Sequence, residues 1–186
     1  MVSHAGKRQD APGGLEEVRA FVNTWDLERG TDVLADLPGL AAWSGLTGLG
    51  EPDRLRAVEV REALRTLAGL NTGQEADPAH AAVLDALAAD ADVRIRFPGG
   101  LPAPRPGTGL IAVLGGLLAA VGVSVLEGTW ARLRVCPAAD CRWAFYDHSR
   151  NRSGVWCQMA ECGNREKARA FRRRHVAETR SAGDDA

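Results

Sequence analysis

All four cysteines of this 186-residue chain fall in one short stretch, as Cys136-x4-Cys141-x15-Cys157-x4-Cys162. No other feature restricts the fold as much. Two closely spaced thiol pairs separated by a short insert can converge on one tetrahedral ion. Zinc accepts four thiolates at about 2.3 Å in a closed structural site, whereas a catalytic zinc keeps a position open for water. The spacing therefore predicts one structural Zn2+ held by Cys136, Cys141, Cys157 and Cys162. His148 and His175 stand near enough to replace a thiol, but the four-cysteine set is complete without them. The rival reading is a pair of disulfides, which needs an oxidising compartment. Met1–Gly14 has no apolar run of the kind a secretory signal carries, so a reduced cytoplasm and a metal are expected.

A segment this short does not fold on an apolar core alone. Zinc binding supplies folding free energy on the order of 10 kcal/mol in comparable modules. Trp143, Phe145, Tyr146, Trp156 and Phe171 offer a miniature aromatic core. Trp143 and Phe145 alternate after Cys141, as in a short strand with one buried face. Residues 147–154 are polar and turn-forming, and read as a loop between the knuckles. Residues 131–176 are thus expected to form a zinc module on the end of a larger domain.

Charge is unevenly distributed. Residues 131–175 hold 11 Lys/Arg against 4 Asp/Glu, while residues 1–130 hold 11 against 17, within a net charge of −1. A near-neutral chain carries a basic end on an acidic body. Much of that positive charge sits just after the last cysteine, in Arg165, Lys167, Arg169, Arg172, Arg173 and Arg174. Asn164 suits an N-cap and Glu166 a first turn, so a helix is expected there. Ala168, Phe171 and His175 would face the knuckles, with Arg165, Arg169, Arg172 and Arg173 pointing outward. Together with Arg150 and Arg152 on the inter-knuckle loop, these form the electrostatic footprint of a nucleic-acid binder, DNA being the expected partner. A solvated helix, or one docked on the acidic domain, is the plainer alternative. Stacking by Trp143, Tyr146 and Trp156 keeps RNA or single strands open.

Residues 15–130 are long enough to bury one core. Leu15, Val18 and Val22, with Trp25, stripe a first helix. A short helix around Leu37–Leu46 contains Trp43. Pro52 suits a helix start, continued by Leu55, Val58, Leu64 and Leu67. Asp77-Pro78 caps another, whose Leu84, Leu87 and Ala91 face a core. Residues 92–97 alternate, predicting a strand with Val93, Ile95 and Phe97 inward. Residues 98–108 read as a Gly/Pro-rich loop, a candidate lid. Gly109–Leu126 is 18 residues without a charge, the lower limit for a membrane span. Four glycines interrupt it, so a buried helix to about Gly122 is expected and no membrane partner. Asn23, Thr24 and Asp26 either cap the first helix or floor a pocket for a small-molecule effector.

Cys-x4-Cys, then Phe145-Tyr146-Asp147 with Ser149-Arg150, Trp156-Cys157-Gln158-Met159 and Cys162-Gly163-Asn164-Arg165 with Lys167, resembles the CGNR zinc finger. Gln158 stands where that family usually has Ser, at a position that is not a ligand. Phe21-Val22-Asn23-Thr24-x-Asp26 resembles the opening of the ABATE domain, the usual N-terminal partner of that finger. Ala42-Trp43, Leu55-Arg56 and Arg61-Glu62-Ala63-Leu64-Arg65 fit its later positions. The resemblance implies a bacterial, stress-induced transcription regulator that binds DNA through the finger. Arg outnumbers Lys 21 to 2, consistent with a GC-rich bacterial genome.

The expected fold is α+β. A disordered N-terminus (1–14) precedes a mainly helical regulatory domain (15–130), the four-cysteine finger (131–176) and a disordered tail (177–186). The expected function is DNA binding by a cytoplasmic regulator, not an enzyme, with a homodimer as one candidate state. The rivals are a finger that docks on the transcription machinery and an enzyme-like N-terminal domain with zinc as scaffold.

Overall fold

The computed structural model describes residues 10–96, 100–105 and 107–184, with Arg96 and residues 175–184 as backbone alone. Leu15, Val18, Phe21 and Val22 recur at helical spacing and are all buried on α1 (Leu15–Val22). A two-residue ribbon follows, β1 (Trp25–Asp26) antiparallel to β2 (Thr31–Asp32). The short helix α2 (Leu37–Ser44) starts where the Asp36 carboxylate accepts from Gly39 N. It ends at Gly45, whose φ of 70° is left-handed and easiest for glycine.

The long helix α3 (Glu51–Gly69) opens with Pro52 in its first turn and the Asp53 carboxylate accepting from Gly50 N. Its partner α4 (Pro78–Asp90) is capped by Asp77, as the sequence led one to expect. The apolar helix α5 (Leu110–Leu126) packs against α1 and α4 and runs one turn past the expected stop at Gly122. No helix among the described residues is long and apolar enough to cross a membrane. The glycines of α5 let neighbours come close: a Cβ at Gly115 would lie 2.5 Å from that of Ala91.

Several expectations need correction. The stripe on α3 is displaced. Leu55 is 50% exposed, while Arg61 and Arg65 are 2% and 0% exposed on the face shared with Ala57, Leu64 and Ala68. The alternating segment forms only a short strand, β3 (Arg94–Arg96), with Ile95 54% exposed rather than inward. Phe97 lies outside the described residues. The expected Gly/Pro loop contains β4 (Leu101–Ala103), antiparallel to β3. Proline is admissible in such a two-stranded ribbon because an edge need not donate. Pro102 and Pro104 sit against Gly122 and Gly115 of α5, which anchors the ribbon. The N-terminus is placed from residue 10 onward: Ala11 is buried, its N–H donating to the Glu16 carboxylate at 2.8 Å. Residues 1–9 are outside the described residues. At the other end, helical backbone runs to Asp184 where a disordered tail was expected.

A 3-10 turn (Trp130–Arg132) leads from α5 into the hairpin of β5 (Leu133–Val135) and β6 (Ala144–Tyr146). Pairing sets Leu133 opposite Tyr146 and Val135 opposite Ala144, on one face, with Arg134 opposite Phe145 on the other. The first face closes the main core: Leu133, Val135 and Ala144 are fully buried among the helices. The second turns Phe145 toward the four cysteines. This hairpin is therefore a wall shared by both cores.

Candidate metal centre and its surroundings

Cys136 follows β5, and Cys141 closes a tight turn by donating its N–H to Ala138 O. Cys136 N donates to Trp143 O, so the first knuckle extends the hairpin ladder. Cys157 leaves the inter-knuckle loop, and Cys162 lies in a single π turn (Met159–Gly163). Packing is close at Gly163. A Cβ would meet Met159 Sδ at 2.5 Å and Trp156 Cδ1 at 3.1 Å.

The four Sγ atoms lie within 4.8 Å of one another, and Cys141–Cys157 and Cys157–Cys162 are both 3.6 Å apart. A tetrahedron of thiolates at about 2.3 Å from zinc has edges of about 3.8 Å, so the cluster fits that ion. The titration pattern points the same way. Hydrogen bonds from the Cys141 and Cys157 thiols hold Cys136 down to about 2. The hydrogen bond to Cys136 in turn pushes Cys141 up to about 12, with burial and the Cys136 charge adding to it. Cys157 and Cys162 also rise, Cys162 mainly through burial. Four mutually repelling thiolates become stable together only with a cation at their centre. The set suits one structural zinc.

Arg165 follows the π turn and packs onto this centre. Its Nη2 donates to Cys162 Sγ at 3.3 Å, its Nη1 to Glu28 at 2.9 Å, and its Nε lies 3.5 Å from Asp140. The Glu28 hydrogen bond raises its pKa first, and the Cys162, Asp140 and Glu28 charges add to it. An N–H donated to a metal-bound thiolate offsets its charge and orients it. Arg169 bonds Asp140 at 2.7 Å and also pairs with Glu166.

The expected orientation of the last helix holds for exposed Arg172 and Arg173 but not for its first turns. In α6 (Asn164–Asp184) the Arg165–Arg169 face turns inward. Ala168 is exposed and Phe171 is 61% exposed. The His175 side chain lies outside those described. The acids Glu28 and Asp140 attract the arginines, and this outweighs the small apolar gain of an Ala/Phe stripe. Nor does Asn164 cap the helix. It lies inside a continuous helical run and donates to Ala160 O at 3.1 Å.

The remaining basic residues divide by exposure. Lys167, Arg172, Arg173 and Arg174 on α6 are exposed, as are Arg150 and Arg152 in the loop. Beneath that loop the carboxylate of Asp147, 4% exposed, accepts from Ser149 N and Gly154 N at 2.9 Å each. Arg134 donates to Gly154 O and Arg152 O, and lies 3.4 Å from Asp147. Burial pushes the Asp147 carboxyl up, but those N–H bonds and Arg134 hold it below its ordinary value.

Asn23, Thr24 and Asp26 are each engaged with nearby backbone. Asn23 bonds both backbone groups of Ala144, Thr24 Oγ1 donates to Phe21 O at 2.8 Å, and Asp26 accepts from Arg29 N at 3.1 Å. Beside them lies a cluster not expected from the sequence. Arg61 forks onto Asp32 at 2.5 and 2.9 Å. Arg65 donates to Val22 O at 2.7 Å and to Arg142 O at 2.8 Å. Both guanidiniums lie over Trp25, 5.4 and 5.7 Å from its ring centre, and both bond Glu62. The signal was present: residues 57, 61, 64, 65 and 68 recur at helical spacing. Arginine is read as solvent-facing by default, and that default hid it.

Fold and site together define a helical domain sharing a β-hairpin with a four-cysteine zinc finger. The chain belongs to the ABATE family, described as "putative stress-induced transcription regulator", which matches residues 18–129. The CGNR zinc finger matches residues 132–175. A search of the curated proteins returned no match. The family description is that of a regulator rather than an enzyme.

Proposed function

We infer that this chain is a transcription regulator that grips duplex DNA through the exposed arginines of its finger. One observation carries the reading. In residues 131–175 three of the four acidic side chains are paired with arginine: Asp140, at the surface, with Arg165 and Arg169, Glu166 with Arg169, and buried Asp147 with Arg134. The exposed charges of the segment are Arg150, Arg152, Lys167, Arg172, Arg173 and Arg174, against an exposed Asp140 already paired with two arginines. That is a cationic surface on a body of opposite sign, suited to phosphates. Arg165 and Arg169 belong to the structural core of the finger in this reading. Asn23, Thr24 and Asp26 serve the chain's own backbone rather than an effector.

Fluorescence anisotropy of a labelled random duplex against the zinc-loaded chain tests this. With about four phosphates contacted, log Kd against log salt should have a slope of magnitude about 3.6. Absence of duplex affinity at low salt would sink the reading. It would also promote the second one, protein docking. That alternative has its own support in Val155 and Met159, 46% and 49% exposed, which line a groove of about 290 Å³ with Trp156.

A further inference from the structure

We propose that the metal centre is built from unequal halves. The helical domain holds the first knuckle in place with or without metal, whereas the second knuckle and α6 are fixed through the metal. Metal occupancy would then govern whether the α6 arginines are presented.

The first half is anchored from outside the finger. Asn71 Nδ2 donates to Leu133 O at 2.8 Å and to Trp130 O at 3.0 Å. Thr72 Oγ1 and Gln74 Nε2 both donate to Val135 O, at 3.0 and 3.1 Å. Asn23 holds Ala144 by both of its backbone groups. Arg65, fully buried on α3, holds the carbonyl of Arg142, the residue after ligand Cys141. Arg142 has φ 49°, a left-handed conformation costly for a side chain that persists when its surroundings fix it. All these bonds come from α1, α3 and the turn after α3, and their partners are main-chain groups from Trp130 to Ala144. With Leu133, Val135 and Ala144 in the helical core, none of this depends on the ion.

The second half is anchored differently. Arg134 and Asp147 secure the loop as far as Gly154. Beyond it, Val155, Met159, Ala160 and Asn164 are exposed. Residues 155–172 are tied to the body through the Cys157 and Cys162 thiols, partly buried Trp156, and the pairs of Arg165 and Arg169 with Glu28 and Asp140, among other contacts. Ion pairs with this much solvent access contribute little each. Zinc on four thiolates supplies most of the folding free energy of a small module. The ion thus dominates the second half, while the first half keeps its own hydrogen bonds and core.

Hydrogen exchange read by mass spectrometry tests this on the full chain, zinc-loaded and after chelation under reducing conditions. Peptides within 133–146 should stay within about threefold of their loaded rates. Those within 157–172 should exchange on the order of 100-fold faster. Cys162→Ser should reproduce the asymmetry without chelator. Equal loss in both regions, or retention in both, overturns the proposal. As a second arm, Asn23→Ala keeps all four ligands but loosens the first half. Zinc affinity, read by competition with a chromophoric chelator, should fall about tenfold. Unchanged affinity would show that the helical domain does not preorganise the site. Only the statement about arginine display rests on the DNA reading. If the loaded chain fails to bind duplex, that reading fails while the exchange asymmetry stands or falls separately.

Discussion

Asn23 and Ala144 lie 121 residues apart and exchange two hydrogen bonds, Asn23 Nδ2 to Ala144 O at 2.9 Å and Ala144 N to Asn23 Oδ1 at 2.8 Å. A side-chain amide here takes the place of a neighbouring strand. It pairs both main-chain groups of a fully buried residue, joining α1 to the hairpin that carries the first knuckle.

Asn23→Ala leaves that N–H and that carbonyl unpaired in the interior. The expected loss is about 2–6 kcal/mol, from two buried groups that each cost about 1–3 kcal/mol when unsatisfied. Urea denaturation of the zinc-loaded chain measures it. A loss below about 0.5 kcal/mol would mean water replaces the amide.

Arg165 and the pair Arg172/Arg173 should separate by phenotype. Arg165→Ala removes the bonds to Cys162 Sγ and Glu28, so the melting temperature and zinc retention should fall. Replacing exposed Arg172 and Arg173 by Ala should leave melting within about 2 °C. It should flatten the salt dependence of duplex binding by up to about 2 in slope. The opposite pairing of phenotypes would reverse the roles assigned to the first and later turns of α6.

Acid stability should report the Asp32–Arg61 fork. Burial raises the Asp32 carboxyl, but the Arg61 hydrogen bonds, the Leu34 N–H and the charges of Arg61 and Arg54 bring it below its ordinary 3.8. A lowered folded-state pKa stabilises above the unfolded value, and the contribution disappears as pH falls through the folded one. The stability difference between the native chain and Asp32→Asn should be constant above about pH 5 and shrink below 3.8. Zinc loss in acid affects both chains and cancels in the difference. A difference that grows in acid would contradict the sign.

Metal content gives the simplest check on the centre. Protein purified without added zinc should carry about one ion per chain, and Cys157→Ser should lose most of it. Full retention by that variant would remove Cys157 from the ligand set.

The sequence alone determined the features that local chemistry encodes. Cysteine spacing gave the metal and its four ligands, because a knuckle's geometry is set within a few residues. Asp77-Pro78 and Pro52 marked helix starts, because caps act through the nearest turn. The Leu15/Val18/Val22 stripe gave a buried face, because helical period is local. Tertiary structure decided which partner each polar group found. Nothing in the sequence near Arg61 and Arg65 supplies their partners; the fold brings β1, β2 and the Arg142 carbonyl over them. Arg165 and Arg169 read as outward until Asp140 and Glu28, distant in sequence, drew them in. Ile95 alternated like a buried strand residue, yet its ribbon covers α5 through prolines. Asn23 does end the first helix, its N–H donating to Arg19 O, and its side chain is also a clasp onto Ala144, 121 residues away. For Arg61, Arg65, Arg165, Arg169 and Asn23 a long-range hydrogen bond or ion pair, absent from any sequence window, outweighed the local preference; for Ile95 it was packing of the ribbon's prolines on α5.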